Sequence, residues 1–288
     1  MDASTEIHAP PGPQRLGPGH GLAVLVVGLG PIGAGVGAAL AERGECVFGI
    51  DPDAERTSAW ASQTGMPVAG RLGDGPDRED VDVVIVAVRL ATQLWDVLDA
   101  LPVGEGPVFV LSTLGLTDAR ALGSSPHDIV EAPVSGGPHG ARDGTLTMFL
   151  HARGSLRPAA QRVVEDITSE VFTFDAYGLP AVAKLTNNTL AAYHALAVAG
   201  MAEVASEAGL DRATFMAVVA ASSGQSWMGD HFTEFAQDLL FKDVELLQQD
   251  VHDLPVIHMT GIREREAEID SARRRMRSPA VEYPLAVT

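Results

Sequence analysis

Short apolar runs and helical stretches alternate along the first half of the chain. The runs are rich in valine and bounded by glycine, proline or aspartate, which is typical of β-strands. Their continuous apolar character indicates strands covered on both faces, and the alternation with helices indicates β-α-β units with a mostly parallel sheet. The predicted strands are LAVLVVG (22–28), ECVFGID (45–51), VDVVIVAV (81–88), PVFVLST (107–113), HDIVEAP (127–133), TLTMFLHA (145–152) and a closing VFTFD (171–175).

The pattern becomes helical after residue 180. Residues 181–209 form a long helix-favouring segment without internal proline, Gly209 stands where a helix end is expected, and Asp211 is a candidate N-cap for the next helix. Further helices are predicted over 211–222, about 230–249 and about 255–276, and no strand signal follows Asp175. We therefore expect a sheet domain over residues 22–180 and a helical domain over residues 181–288.

Composition and charge restrict the partners. The formal net charge of −18 repels nucleic acid and anionic membrane surfaces, so neither is expected as a partner. No apolar run is long enough to span a bilayer, and the nine histidines show no metal-ligand spacing. The single cysteine, Cys46, indicates a reducing, cytoplasmic setting. Residues 1–21 lack the regions of a signal peptide and are predicted to be a disordered tail.

A glycine-rich turn, GLGPIG, follows the first predicted strand and opens a helix. Gly28 permits the tight turn, Gly30 leaves room for a pyrophosphate, and Gly33 lets the helix pack against the strand. The intervening Pro31 and Ile32 begin the helix, whose free N–H groups and positive dipole end attract phosphate. The motif in this context predicts a dinucleotide site. The predicted fold class is an α/β Rossmann-type N-terminal domain with a mostly parallel sheet, followed by an all-α C-terminal domain.

The choice of cofactor is indicated at the end of the second predicted strand. Asp51 lies about 20 residues after the glycine motif, where a carboxylate accepts hydrogen bonds from the adenosine ribose hydroxyls. It would repel a 2′-phosphate, and Asp53 adds to that repulsion, whereas the nearest cation, Arg56, lies beyond the turn. NAD is therefore predicted in preference to NADP.

Two later stretches indicate chemistry beyond cofactor binding. Ser135, Gly136 and Gly137 follow a strand, and bare N–H groups beside a hydroxyl can hold a carboxylate. Residues 184, 187 and 188 are Lys, Asn and Asn, spaced to share one face of the long helix. In a closed cleft the lysine ammonium would lose solvation and its pKa would fall.

These residues resemble the β-hydroxyacid dehydrogenases, the group that includes 3-hydroxyisobutyrate dehydrogenases and short relatives of 6-phosphogluconate dehydrogenase. The cofactor motif of that family is matched by GLGPIGAGVGAAL, with Ile32 in place of methionine. Its substrate motif is matched by EAPVSGGPHGARDGTL, with Glu131 in place of aspartate. Its KxxxN and KD motifs are matched by the pairs Lys184 with Asn188 and Lys242 with Asp243, so the resemblance covers roughly residues 22–243.

The resemblance implies roles for these positions. Lys184 is implied as the general acid in carbonyl reduction and the general base in alcohol oxidation, with Asn188 orienting it or the substrate. A small substrate bearing a carboxylate is expected, and subunits of the family commonly pair through the helical domain, so a homodimer is expected. The implied substrate-binding positions are Ser135, Gly136, Gly137, Asn187 and Trp227. The implied cofactor-binding positions beyond the glycine turn and Asp51 are Val88, Arg89, Thr113 and Lys242.

Some of these positions allow two interpretations. Arg89 stands where relatives carry an apolar residue, and it is either a second anion anchor or a solvated arginine at a strand end. Thr113, with Ser112, either faces the nicotinamide or makes hydrogen bonds at a strand end. Trp227 is either a pocket wall or a packing residue between domains. Before Lys184 the family's glycine-rich GxxGxG is reduced to DAYGLP, which reshapes the approach to the lysine.

The leading hypothesis is an NAD-dependent oxidoreductase that transfers hydride to or from a 3-hydroxy acid or its semialdehyde. An imine reductase on the same scaffold is an alternative, although such enzymes generally lack a lysine at the position of Lys184. A dinucleotide-sensing protein without turnover is the non-catalytic alternative.

Overall fold

The computed structural model describes residues 21–233, 235–251, 253–257 and 266–277. Nine strands are formed by these residues, and each of the seven predicted strands is among them. The strands are β1 (Ala23–Val27), β2 (Cys46–Ile50), β3 (Val68–Ala69), β4 (Val83–Val86), β5 (Val108–Val110), β6 (Ile129–Glu131), β7 (Val134–Ser135), β8 (Leu146–Ala152) and β9 (Thr168–Thr173). Sequence reasoning missed β3 and β7, because a two-residue strand carries no periodic signal.

The strands form a mostly parallel sheet in the order β3-β2-β1-β4-β5-β6-β8-β7, with β9 beside β8. The pairs from β3 to β6 are parallel, and β8 runs antiparallel to β6 and β7. The predicted α/β fold with a mostly parallel sheet is therefore confirmed. Since β1 and β4 are central neighbours, the loops after them leave the same edge of the sheet, where ligands of such sheets bind.

Helices cover both faces of the sheet. They are α1 (Pro31–Glu42), α2 (Ala54–Thr64), α3 (Ala91–Ala100), α4 (Leu116–Ala121), α5 (Gly137–Asp143), α6 (Pro158–Ile167), α7 (Leu179–Glu207), α8 (Arg212–Ala220), α9 (Trp227–Asp230), α10 (Gln237–Asp250) and α11 (Glu266–Arg277). Val24 and Val26 of β1 face the side covered by α1 and α6, whereas Leu25 and Val27 face the side covered by α3 and the first turns of α7. The alternation explains why the strands are apolar throughout.

The helical end of the chain follows the prediction in part. Gly209 adopts a left-handed φ of 91° just after α7, and Asp211 caps α8 through the backbone N–H of Thr214 at 3.0 Å, as predicted. No strand follows residue 175 in the described ranges. The domain boundary near residue 180 stays a prediction.

The single helix predicted over about 230–249 is wrong, because this segment contains the end of α9, a turn and then α10. Ser226 caps α9 through the N–H of Gly229 at 3.1 Å, and the short helix ends at Asp230. Phe232 and Phe235 then pack together, 6.0 Å between ring centroids, against a small apolar cluster. Tertiary packing of two aromatic side chains here outweighs local helix propensity.

The helix predicted over about 255–276 begins later than expected, since residues 253–257 are not helical and α11 covers 266–277. The hydroxyl of Tyr193 donates to the carbonyl oxygen of Pro255, which connects that non-helical segment to α7. The predicted N-terminal tail, apart from residue 21, lies outside the described residues. No helix among the described residues is both long enough and apolar enough to cross a membrane.

Candidate active site

The glycine turn between β1 and α1 has the geometry that its spacing predicts. Gly28 has a φ of 95°, and a Cβ there would lie 2.5 Å from the carbonyl oxygen of Ala87. A Cβ on Gly33 would lie 1.9 Å from the carbonyl oxygen of Gly28, so glycine is required for close packing. A Cβ on Gly30, in contrast, would meet no atom within 4 Å. Open space therefore lies against bare backbone at the N-terminus of α1, which fits a pyrophosphate.

Asp51 lies directly after β2 beside this turn. Its carboxylate is 4% exposed and accepts hydrogen bonds from the N–H of Leu29 at 2.8 Å and of Asp53 at 2.9 Å. The guanidinium of Arg56 lies 3.6 Å from Asp51 and 3.4 Å from Asp53, so this cation is already shared by two carboxylates. Each carboxylate oxygen of Asp51 retains a lone pair that a ribose hydroxyl could use.

A chain of polar contacts surrounds Lys184 on α7. The Nζ of Lys184 donates to Oδ1 of Asn188 at 3.2 Å, and Nδ2 of Asn188 donates to Oδ2 of Asp243 on α10 at 2.6 Å. Asp243 also lies 3.1 Å from Nζ of Lys242, and that ammonium lies 3.4 Å from the carbonyl oxygen of Thr113, after β5. The contacts thus connect the lysine to a strand end of the sheet.

Burial changes the acidity of this lysine. Lys184 is 8% exposed, and loss of solvation lowers its pKa from 10.5 to about 8. The nearby carboxylate of Asp243 opposes the fall in pKa, and the ammonium of Lys242 adds to it. A lysine with a pKa near working pH can both accept and donate a proton, as a general base and acid must.

The two residues in this chain of contacts that carry an ammonium are also the only lysines in the sequence, which has 20 lysine and arginine residues in total. Every other basic position is arginine. Lysine is the cation whose pKa shifts readily on burial, whereas arginine stays charged. The use of lysine only at positions 184 and 242 is therefore a further signal in the sequence that favours a role for these two residues.

Helix α10 makes a second connection to the sheet. Nη1 of Arg89, after β4, lies 3.0 Å from Oδ2 of Asp238 on α10, and both side chains are exposed. A cleft of about 630 Å³ opens next to this ion pair, lined by Phe232, Phe235, Asp238 and Phe241 among others. Arg89 is therefore an exposed arginine at a strand end, as one of its two sequence interpretations holds, and it is in addition paired with α10.

The predicted substrate turn, residues 135–137, lies between β7 and α5. Gly136 and Gly137 have φ values of 122° and 65°, so their backbone conformation favours glycine. Helix α5 packs against α1, where a Cβ on Gly35 would lie 2.9 Å from the Cβ of Ala141. The helix that follows the substrate turn thus packs against the helix that follows the glycine-rich turn, although no described hydrogen bond joins Ser135 to Lys184.

The remaining predicted site residues have varied surroundings. The N–H of Val88 donates to Oγ of Ser112 at 3.0 Å, which supports the strand-end interpretation for that serine. Asn187 is exposed, and its Nδ2 donates to Oδ1 of Asn188 at 3.3 Å. Trp227 is 56% exposed and stacks on His231 with ring centroids 4.2 Å apart. Within the described ranges, no group of three or more His, Cys, Asp or Glu could hold a metal ion.

Sequence reasoning missed the role of Glu131, which it noted only as a replacement for aspartate. Its carboxylate is 2% exposed and accepts hydrogen bonds from the N–H groups of Gly178 at 2.7 Å and Ala181 at 3.1 Å. These groups begin α7, the helix that carries the buried lysine. The partners lie 47 and 50 residues away along the chain, so no local pattern could have revealed them.

Comparisons with known proteins agree with this geometry. Residues 23–175 match the family model described as the NAD binding domain of 6-phosphogluconate dehydrogenase. Residues 178–266 match the model described as NAD-binding of NADP-dependent 3-hydroxyisobutyrate dehydrogenase.

Individual relatives show the same likeness along most of the chain. An L-threonate dehydrogenase of Pectobacterium atrosepticum is 26% identical over 246 residues, covering 78% of this chain and 80% of the relative. A probable 3-hydroxyisobutyrate dehydrogenase of Mycobacterium bovis is 29% identical over 212 residues, covering 71% of each. The solved structure of Mycobacterium tuberculosis 3-hydroxyisobutyrate dehydrogenase with L-serine superposes with a TM-score of 0.66 at 25% identity, covering 88% of this chain and 94% of that one.

Proposed function

The chain belongs to the β-hydroxyacid dehydrogenase family of NAD(P)-dependent enzymes, and from that premise we propose that it transfers hydride between NAD and a 3-hydroxy acid or its semialdehyde, with Lys184 as general acid and base. The observation that carries the assignment of the lysine is its burial beside Asn188, which lowers its pKa to about 8. A family relative solved with L-serine, itself a 3-hydroxy acid, supports the substrate class.

Lys184 would move the proton while the nicotinamide accepts or supplies the hydride. In alcohol oxidation the neutral amine takes the hydroxyl proton, and in carbonyl reduction the ammonium returns it to the oxygen. Asn188 holds Nζ through its amide oxygen, and its own amide is held by Asp243 at 2.6 Å. The lysine would therefore meet the substrate oxygen in a preset orientation, which lowers the entropic cost of the reaction.

The glycine turn with Pro31, Ile32 and the N-terminus of α1 would hold the pyrophosphate, and Asp51 would hold the adenosine ribose. A preference for NAD is supported by two carboxylates, at positions 51 and 53, that would face a 2′-phosphate. Arg56 does not offset them, because it already contacts both. Val88, Arg89, Thr113 and Lys242 would line the nicotinamide half, since they follow β4 and β5 or reach that edge from α10.

Ser135, Gly136 and Gly137 would bind the substrate carboxylate. The hydroxyl and the N–H groups of a turn with positive φ values form a local anion site, which has to act against a net charge of −18. Asn187 and Trp227 would lie at the entrance, because both are exposed. Arg89 would reach a second acidic group of a substrate only by leaving Asp238.

A homodimer is also proposed. Several large apolar side chains of the helical region are at least half exposed, which is unusual for a surface that stays in water. They include Leu190, Leu196, Met201 and Val204 on α7 and Val218 on α8. A second copy would cover them, and light scattering with size-exclusion chromatography would report the mass. We further propose that the protein works in the cytoplasm on small molecules and does not bind nucleic acid or membranes.

The test of the function follows NADH absorbance with a panel of 3-hydroxy acids and semialdehydes, with NAD and NADP run side by side. Turnover with NAD should be abolished in Lys184→Ala, while the affinity for NADH, measured by fluorescence, is retained. Thr186→Ala is the matched control, because Thr186 is exposed on the same helix and bonds only to backbone carbonyls of α7. Turnover that survives in Lys184→Ala would exclude the proposed role, and turnover of imines alone would favour the reductase alternative.

A further inference from the structure

Helix α7 begins without a cap of its own. Its N-cap residue is Gly178, in a left-handed conformation with a φ of 87°, and glycine has no side chain to satisfy the free N–H groups of the first turn. The carboxylate of Glu131 does so instead, with Oε2 bound to the N–H of Gly178 at 2.7 Å and Oε1 to that of Ala181 at 3.1 Å. One buried side chain of the sheet thus caps the helix.

The position of this cap connects two parts of the proposed site. Glu131 is the last residue of β6, four residues before Ser135 in the substrate turn. Ala181 is three residues before Lys184, or about 4.5 Å along the helix axis. A displacement of the helix start would therefore move the lysine relative to the turn that is proposed to hold the substrate.

Burial disfavours the charged form of Glu131. Burial raises the pKa of Glu131 from 4.5 to about 7, although the two backbone hydrogen bonds act in the opposite direction. His151 is the register partner of Glu131 across β6 and β8, and Tyr177 interacts electrostatically with Glu131 and with Arg153. The side chains of His151, Tyr177 and Arg153 each make a hydrogen bond to a backbone carbonyl oxygen. The α7 N–H groups are thus the hydrogen-bond donors that the structure assigns to the carboxylate.

We propose that Glu131 is a positioning residue for the reaction, which by capping α7 from the end of β6 fixes Lys184 against the substrate turn. This inference rests on the proposed function for the meaning of the lysine position. A cap that served stability alone would not affect the environment of Lys184 or the rate of turnover beyond its effect on folding.

The two-lysine sequence allows a direct test that does not depend on activity. Protein labelled with ¹³C at lysine Cε gives one side-chain signal for Lys184 and one for Lys242, and each can be titrated by NMR. In Glu131→Gln one of the two N–H groups loses its acceptor, because an amide has a single oxygen. The first turn of α7 should then loosen, water should reach Lys184, and its pKa should move up from about 8 toward 10.5.

The kinetic expectation is a fall in kcat of about 10- to 100-fold in Glu131→Gln, with the KM for NAD unchanged. Glu131→Asp keeps both acceptor oxygens but draws them back by about 1.5 Å, so both effects should be smaller and in the same direction. Glu45→Gln is the matched control, since Glu45 is an equally buried carboxylate that binds the N–H of Leu22 near the opposite ends of the strands. It should lower thermal stability and leave kcat and the titration of Lys184 unchanged.

An unchanged titration of Lys184 in folded Glu131→Gln would overturn the proposal, as would an equal fall in kcat in Glu45→Gln. If Glu131→Gln does not fold, Glu131→Asp decides in the same way, and a wild-type titration and kcat there would overturn it. If the wild-type protein turns over no substrate of the panel, the proposed function fails, and the NMR titration still decides whether Glu131 positions the lysine.

Discussion

Replacement of Lys184 by methionine should make the protein inactive and at the same time more stable. The pKa of Lys184 falls from 10.5 to about 8 on folding because burial disfavours the ammonium. At 1.36 kcal/mol per pKa unit, folding at neutral pH carries a penalty of about 3 kcal/mol at this one residue. Methionine has similar length and no charge, so it removes that penalty.

The substitution leaves little behind that is unsatisfied. Oδ1 of Asn188 loses the ammonium but keeps the amide of Asn187 at 3.3 Å. Asp243 keeps Lys242 at 3.1 Å and the amide of Asn188. We therefore expect most of the estimated 3 kcal/mol to appear as a gain in the free energy of unfolding, or about 2 °C in Tm for each kcal/mol in a chain of this size.

The dependence on pH identifies the source of the gain. The folded-state pKa of Lys184 lies below its unfolded value, so its contribution to stability is complete above about pH 10.5 and is lost as pH falls through about 8. The difference in the free energy of unfolding between Lys184→Met and the wild-type protein should therefore shrink as pH rises from about 8 to about 10.5. Urea unfolding followed by circular dichroism, near pH 7 and near pH 10, measures both proteins, with Thr186→Ala as control.

Two results would refute this reasoning. Lys184→Met could be no more stable than the wild type near pH 7, which would mean that the folded environment already compensates the charge. Alternatively, the difference between the two proteins could be the same near pH 7 and near pH 10, which would mean that the gain comes from packing and not from the buried ammonium.

Three further predictions concern the cofactor site and the cleft. Gly30→Ala should keep the wild-type Tm and weaken NADH binding at least about tenfold, whereas Gly33→Ala should lose about 2 kcal/mol or more of stability, because its Cβ would overlap a backbone oxygen. Thermal unfolding and NADH fluorescence measure both variants, and an equal loss of Tm in the two would contradict the expected difference. Asp51→Asn should shift the NAD-to-NADP ratio of kcat/KM toward NADP by about 10-fold, and Asp53→Asn, at a more exposed position, should shift it less. Equal ratios in the wild type and in Asp51→Asn would exclude repulsion of a 2′-phosphate by Asp51 as the source of the preference. Arg89→Ala should change the free energy of unfolding by less than about 1 kcal/mol, since its ion pair with α10 is exposed. A larger loss in urea unfolding would contradict this expectation.

Local patterns in the sequence were sufficient for seven of the nine described strands, for two helix ends and for the cofactor turn. The valine-rich runs predicted seven strands because a strand covered on both faces must be apolar along its whole length. The spacing of Gly28, Gly30 and Gly33 predicted a tight turn at the first position, open space at the second and close packing at the third, and the backbone has these features. Asp211 and Gly209 marked helix ends for the same local reason.

Local reasoning failed where packing between distant segments decides. At the break between α9 and α10 two phenylalanines pack on a cluster to which α7, α9 and α10 contribute, and a periodicity over 230–249 does not contain that information. The pairing of Arg89 with Asp238 joins residues about 150 positions apart, so the sequence alone left its role open.

The residues of the proposed site could be predicted from the sequence, whereas their surroundings could not. Sequence motifs predicted roles for Lys184, Asn188, Lys242 and the turn after Glu131, because the residue types at those spacings resemble one family. The sequence could not show that the lysine is 8% exposed, that its pKa is near 8, or that a carboxylate 47 residues before Gly178 caps its helix. Desolvation and hydrogen bonding depend on which atoms meet in space, and only the tertiary structure brings these atoms together.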